Sequence, residues 1–438
     1  MKSSSTGTSG TSEPAGTSAP LSALRPSSLL RERDLALAWT AGLVAWVGNY
    51  ALFVVLPIVV YQGTSSPVAT AITVLGGAVP PVLVGQLAGV LADRWDRRRV
   101  LVGANALLAV LTVGYLLIDA SAWGWLAVLT FVRSCVGQLV GPAENALLPD
   151  LAPVERLEEV AALNTLNNTL GRLVGPALGG TLFAAGGLPA AATLVVLCHL
   201  GAAVTVAAVT SGRSQSRTLN GPGLLRQWRE GAVLAWSEPV LRSLLPLMVV
   251  MAVGEGFVSA LLAPFATDLL AAGADAVGWI LSAQAVGGIV GAWWCTRALS
   301  RSDPMRLLAL AALSAGVLLA LIFGYPLLMP VLWPAVVLTA VAGAPFAVVA
   351  AAQGLLLQRH AAPAARGRVF ALCWGLSSLV QIVAIGAAGV LAEQVGSMVI
   401  MVDAVAYVVV GAMGLAAAAR LRRAVTGRPI VEMGDTPD

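Results

Sequence analysis

The chain has 438 residues, of which 58% are hydrophobic and 11% charged, with a net charge of +4. A water-soluble domain carries charge on roughly a quarter of its residues. This composition therefore excludes a soluble globular domain and requires lipid to cover most of the surface. The positive residues form short clusters between apolar runs, which is a topology pattern rather than a nucleic-acid-binding one.

Met1–Leu24 is rich in Ser, Thr, Gly, Pro and Ala and has no apolar core, so residues 1–33 are expected as a disordered cytoplasmic tail rather than a secretory signal. Leu35–Tyr61, Pro67–Ala92, Ala177–Gly212 and Leu307–Gln358 contain no Asp, Glu, Lys or Arg. About 20 apolar residues span a bilayer. The last two runs are too long for one helix each and divide at Gly186-Gly187-Leu188-Pro189 and Gly324-Tyr325-Pro326. Twelve crossings result, at 35–61, 67–92, 100–118, 121–149, 161–185, 188–210, 241–268, 275–297, 304–323, 326–358, 367–392 and 396–419. All but two of the 26 Lys and Arg residues, Arg133 and Arg172, fall in the termini or in alternate loops on one side. By the positive-inside rule both termini are cytoplasmic in a multi-pass protein of the cell membrane.

Leu147–Leu163 loosely echoes Leu356–Leu372, which points to two related six-helix halves. The expected divisions are an N-terminal bundle over 34–210, a cytoplasmic linker over 211–240, a C-terminal bundle over 241–420 and a tail over 421–438. Within the linker, Leu224–Ala235 has the pattern of a short amphipathic surface helix. Cys135, Cys198, Cys295 and Cys373 all lie inside crossings without metal or disulfide spacing and read as small core residues.

Three segments carry the functional signal. Between the second and third crossings stands Gly89-Val90-Leu91-Ala92-Asp93-Arg94-Trp95-Asp96-Arg97-Arg98-Arg99, a charged turn suited to clasping a neighbour in one state and releasing it in another. Leu129-x3-Arg133-x3-Gly137 places a cation near mid-membrane in the fourth crossing. In the fifth, Gly171-Arg172-Leu173-Val174-Gly175-Pro176-Ala177-Leu178-Gly179-Gly180 makes a bent helix with one nearly flat face.

The first segment resembles the G-x-L-a-D-R-x-G-R-R motif of the major facilitator superfamily, with Asp96 where glycine is usual. The Arg133 segment resembles the arginine motif of the same family, with Val136 replacing its usual glutamine. The Gly171–Gly180 run resembles the motif of drug:proton antiporters. Pro142-Ala143-x2-Ala146-Leu147-Leu148-Pro149 and Arg366-Gly367-Arg368-Val369-Phe370 resemble the drug and siderophore exporter subgroup, which includes macrolide and enterobactin exporters. The resemblance covers residues 89–180 and 353–372. It implies an all-α membrane protein of twelve helices in two bundles that rock about a central cavity. It also implies a gating motif of Gly89, Asp93, Arg94, Arg97, Arg98 and Glu144, with Glu144 and Asp150 paired to the basic loops. The antiporter-type motif would comprise Gly171, Gly175, Pro176, Gly179 and Gly180.

Ionisable groups inside a membrane are expensive and mark function by default. Arg133 reads as a proton relay, a substrate contact or a hydrogen-bond hub. Arg172 is a candidate for the same roles or a structural pair. Glu255, between Gly254 and Gly256, is a candidate for proton titration or cation recognition; its alternative is a permanent pair with an arginine. Asp403 is either a cavity-lining acid or a partly wet helix end. Asp268 and Asp275 read as solvated loop residues. Asn49, Gln284, Gln353 and Gln381 either line a cavity or stitch helices together. Trp46 and Trp374 lie deep enough to stack on a substrate. His199 and His360 lack partners for a metal site.

No G-x4-G-K-[ST] run is present, so an ion gradient is the expected energy source, with no cofactor. The expected function is proton-coupled export of an apolar small molecule (an antibiotic, a siderophore or a secondary metabolite) by a monomer that is not an enzyme and binds no nucleic acid. The alternatives are an importer or facilitator of a small nutrient, and a non-transporting sensor on the same fold.

Overall fold

A computed structural model describes residues 30–85, 95–118, 120–153, 156–210, 224–273, 275–299, 302–362 and 365–426. The first bundle begins with α1 (Arg33–Thr64) and α2 (Pro67–Ala78), the latter continuing past Val79 as a short turn over Pro80–Leu83. Then come α3 (Arg97–Gly114) and α4, built from two segments, Trp123–Gly137 and Val140–Asp150. One continuous assignment, Leu157–Ala207, holds two crossings. Gly186 and Gly187 depart from helical geometry there, and Gly187 has φ 65° and ψ −163°, which a side chain would resist. We call the arms α5 (157–185) and α6 (188–207).

A short helix, α7 (Leu224–Ser237), precedes the second bundle. That bundle comprises α8 (Pro239–Pro264), α9 (Asp275–Leu299), α10 (Pro304–Gly324), α11 (Leu332–His360), α12 (Arg366–Val395) and α13 (Met401–Thr426). Counting the bent pair as two, twelve helices cross. Among the described residues, nine helices are long and apolar enough to span a bilayer by length and composition. Their outward faces carry exposed Val128, Val204, Val290, Leu321 and Val383, as a lipid-facing surface requires.

Local chemistry starts three helices cleanly. Ser66 accepts a hydrogen bond from the Ala69 amide at 3.2 Å, with Pro67 in the first helical position of α2. Asp303 accepts from the Met305 amide at 3.0 Å ahead of Pro304 in α10. Asp96 accepts from the Arg99 amide at 2.9 Å and caps α3. The departure of the charged turn from its family pattern at Asp96 therefore supplies a helix cap.

Packing depends on close backbone approach. Gly171, Gly175 and Gly179 stand at successive turns of α5 and meet α1 directly. A Cβ on them would lie 2.7 Å from Trp46 Cβ, 2.7 Å from Tyr50 Cβ and 2.6 Å from the Ala51 carbonyl oxygen, respectively. In lipid there is no hydrophobic drive between helices, so such van der Waals contact carries the association. The second bundle uses the same device between α9 and α11, where Gly287, Gly291 and Gly343 meet Ala340, Ala344 and Gln284. One buried apolar cluster joins Leu35, Leu101, Leu108 and Leu148 in the first bundle, and the largest joins Leu244, Phe265, Leu308 and Leu357 in the second.

Gly179→Ala should lower the detergent unfolding temperature, at a cost of about 1–3 kcal/mol from overpacking. Gly103→Ala in α3, where a Cβ meets nothing within 4 Å, should leave it unchanged or raise it. Equal effects in a thermal-melt comparison would contradict the flush α1–α5 contact.

Candidate transport cavity

Between the halves lies a cavity of about 500 Å³, lined chiefly by α1, α2 and α4 and closed by Ser259 of α8 with Gln381 and Ile385 of α12. Its walls are mostly apolar, including Leu52, Phe53, Leu56 and Val74. The polar groups are Asn49, Thr73, Tyr115, Thr130, Arg133, Ser134, Gln138, Ser259 and Gln381, beside the aromatic face of Trp46. Trp46 stacks on Tyr50 with ring centroids 5.8 Å apart. A greasy chamber with placed polar groups is the usual form of a small-molecule site.

The side away from the termini, the loop face, is sealed by contacts between the halves. Val54, Ile58 and Tyr61 of α1 pack with Ala263, Ala266, Ala276 and Val277. The Tyr61 hydroxyl donates to Asp268 at 2.5 Å, across a separation of 207 residues. A Cβ on Gly180 would lie 3.2 Å from Gly278 Cα, and one on Gly278 only 2.4 Å from the Pro176 carbonyl oxygen. A Cβ on Gly389 of α12 would lie 2.6 Å from Ala71 Cβ in α2. The Gly171–Gly180 run therefore does two jobs. Three glycines fasten α5 to α1, while Pro176 and Gly180 seat α5 on α9 of the other half. Asp268 is exposed, as expected of a solvated loop residue, but also takes a hydrogen bond. Asp268 holds Tyr61, and Asp275 Cα would lie 3.4 Å from a Cβ on Gly180.

Glu255 and Arg172 come from opposite halves, are both exposed, and interact electrostatically. Ser259, one turn farther along α8 toward the loop face, lines the cavity. Tyr407 of α13 hydrogen-bonds the Glu255 carboxylate. Asp403, one turn before Tyr407, is 3% exposed, with no partner for Oδ1. It occupies the space left by Gly254, whose Cβ would lie 2.3 Å from that oxygen. Asp403 is thus neither a wet helix end nor a lining acid. Helix α13 begins near it, but α8 covers it.

Arg133 is a hub that also faces the cavity. Its Nε donates to Thr112 Oγ1 at 3.3 Å and its Nη2 to Asn49 Oδ1 at 3.1 Å. The same Nη2 lies 2.7 Å from His199 Nε2, and His199 Nδ1 lies 3.0 Å from Asn105 Oδ1. His199 and Asn105 gave no sequence signal beyond being polar in apolar runs.

Of the gating motif, Gly89, Asp93 and Arg94 lie outside the described residues. Arg97 pairs with Asp150 and donates to the Ala146 carbonyl at 3.2 Å, tying α3 to α4. Arg98 donates to the Val206 carbonyl at 3.3 Å and also to that of Ala207, capping the end of α6. Glu144 corrects the expectation of a loop pairing. It is 5% exposed, and its described partners are Asn167, 3.4 Å away, and Trp46. The missing side chain of Gly42 makes room for it. Of the amides, Asn49 and Gln381 line the cavity while Gln353 is buried.

The described residues include no cluster of metal-ligating side chains. Two apolar-walled helical halves around a chamber, sealed at one face, define a membrane transporter rather than an enzyme. The sequence profile of the Major Facilitator Superfamily matches residues 38–372, and the chain belongs to that family. It is 27% identical over 379 residues to the multidrug efflux pump Tap of Mycolicibacterium fortuitum, covering 83% of this chain and 90% of that protein. It is 29% identical over 213 residues to macrolide efflux protein A of Streptococcus pyogenes, covering 47% of this chain and 52% of that one. An uncharacterized transporter, YfiS of Bacillus subtilis, is 32% identical over 134 residues, covering 31% of this chain and 32% of its own length. The chain thus spans about a third to a half of these last two relatives. A crystal structure of the nucleoside transporter NupG superposes with a TM-score of 0.73 at 11% identity, covering 88% of this chain and 99% of that one. An inward-facing bacterial homologue of the iron transporter ferroportin gives 0.72 at 15% identity, covering 90% and 100%. At such identities these likenesses show the fold alone.

Tyr61→Phe removes the hydroxyl that joins the halves at the loop face. In a background lacking the native cysteines, it should raise alkylation of Ser259→Cys by a polar thiol reagent supplied at the loop face, by about fivefold to tenfold for one charge-assisted hydrogen bond. Unchanged labelling would remove Tyr61 from the seal.

Proposed function

We propose that the chain is a proton-coupled exporter of hydrophobic small molecules that works by alternating access, with the terminal face in the cytoplasm. The observation that carries this reading is the exposed Glu255 of one half interacting with Arg172 of the other at the depth of an apolar chamber. A carboxylate there attracts Arg172 and holds the halves in their present relation. The carboxyl takes its proton from the loop face as cargo leaves, stays neutral while the halves return to the present arrangement, and releases the proton at the terminal face as the attraction to Arg172 is restored and new cargo binds. Proton and cargo thereby alternate at one centre. Tyr407 backs this carboxyl with a hydrogen bond.

Three further points support export. The chamber walls are mostly apolar, which suits a sugar or other highly polar nutrient poorly. The relatives with assigned roles are efflux proteins. Arginines crowd the terminal side, as the positive-inside rule requires of a cytoplasmic face.

The test uses everted membrane vesicles loaded with the full chain and the dye Hoechst 33342, with an imposed proton gradient. The expected result is dye uptake that collapses with the gradient and falls at least about tenfold in Glu255→Gln, equivalent to about 1.4 kcal/mol. Gradient-driven uptake undiminished in Glu255→Gln would exclude the coupling role of that residue.

A further inference from the structure

We propose that the free edge of Arg133 is a docking subsite for an oxyanion, so that among apolar molecules with the same body the chamber prefers one bearing a carboxylate or an equally charged oxygen group. This inference rests on the exporter reading and names its substrate class. The guanidinium has five N–H donors. Three are committed: Nε–H to Thr112 at 3.3 Å, and Nη2 to Asn49 at 3.1 Å and to His199 at 2.7 Å. Nη1 has no hydrogen-bond partner among the described residues, and Arg133 lines the cavity next to Asn49 and Gln138.

The partners leave no doubt about the direction of the protons. Thr112 spends its own hydroxyl proton on the Leu108 carbonyl at 2.6 Å, so its oxygen accepts from Arg133. Asn105 donates its amide to the Leu101 carbonyl at 2.9 Å, leaving Oδ1 as an acceptor. His199, wholly buried, must then donate from Nδ1 to Asn105 and accept at Nε2 from Arg133. It is a neutral ring in a single tautomer. No carboxylate belongs to this network, so the arginine keeps a full positive charge beside an apolar chamber. The acids nearby are engaged elsewhere. Glu255 faces Arg172, and Glu144 is held by Asn167 and Trp46. A cation without a charged partner in such a place is costly, and an arriving oxyanion compensates it through charge-assisted hydrogen bonds. His199 is a positioning residue: it fixes the guanidinium so that Nη1 meets the chamber.

Three probes that share one apolar body separate the head-group chemistry: 1-pyrenebutyrate, 1-pyrenebutanol and 1-pyrenebutylamine. Binding to the full-length protein in detergent is read by energy transfer from tryptophan to pyrene. The expected order is acid tightest, by about tenfold over the alcohol. Arg133→Gln should erase that preference while leaving alcohol binding in place. His199→Gln, which can still accept and donate, should keep the preference; His199→Leu should lose it. Equal affinity for acid and alcohol in the unmodified protein, or tighter binding of the amine, would overturn the subsite, as would an acid preference that survives Arg133→Gln. If proton-driven dye transport persists without any acid preference, the subsite falls and the exporter reading stands.

Discussion

Backbone-to-backbone contact along α5 is the constraint on which the rest of the molecule depends. A helix in lipid gains little from burying leucine, since lipid is equally apolar. It gains by approaching another helix closely enough for many weak contacts. Gly171, Gly175 and Gly179 permit that approach to α1 inside the first half, and Gly180 with Pro176 permits it to Gly278 of the second. Faces turned by about a quarter of the helix thus give one element two roles. It is a fixed member of its own bundle and a bearing surface for the other. The bearing lies toward the loop face, where the two halves are sealed against each other.

Against that apolar frame, each intramembrane charge sits in a place that compensates it differently. Arg133 is surrounded by neutral acceptors, Glu144 by neutral donors, and Glu255 by a cation on the opposite half. Only the last arrangement spans the interface that moves. Charges within one half orient and preorganise; a charge pair between halves changes with the conformation itself. The same division holds at the termini-bearing face. Arg97 and Arg98 brace α3 against α4 and α6, within one bundle. In the second bundle Arg368 pairs with Glu230 of α7 at 2.6 Å, and His360 with Glu238 at 2.8 Å.

The fold was legible because its cause is periodic and local. Uncharged runs mark the crossings, arginine parity orders them, and Gly186-Gly187 breaks a run too long for one helix. Candidate site residues were legible as types, since Arg133, Arg172 and Glu255 are conspicuous in apolar helices. Their partners were not. Tyr61 and Asp268 are 207 residues apart, and nothing local to either announces the other. Asp403 reads as a helix end because it is near one, yet helix α8 passes over it at Gly254. Glu144 lies close in sequence to basic turns, but helical rotation points it inward at Gly42 and Asn167. His199 reads as a stray histidine until three other helices bring Asn105, Arg133 and Asn49 around it. Periodicity fixes which residues enter the membrane; tertiary packing alone fixes which of them meet.

The central claim is that two preformed halves rock about the α5–α9 bearing, so that opening one face closes the other. Double electron–electron resonance on reconstituted protein tests it most directly, with spin labels at Arg99 and Arg359 on the terminal face and at Ser121 and Leu328 on the loop face. Raising the pH with a transported dye present should lengthen the loop-face distance while shortening the terminal-face one. If both distances moved in the same sense, or one face opened with the other unchanged, the rocking account would be contradicted.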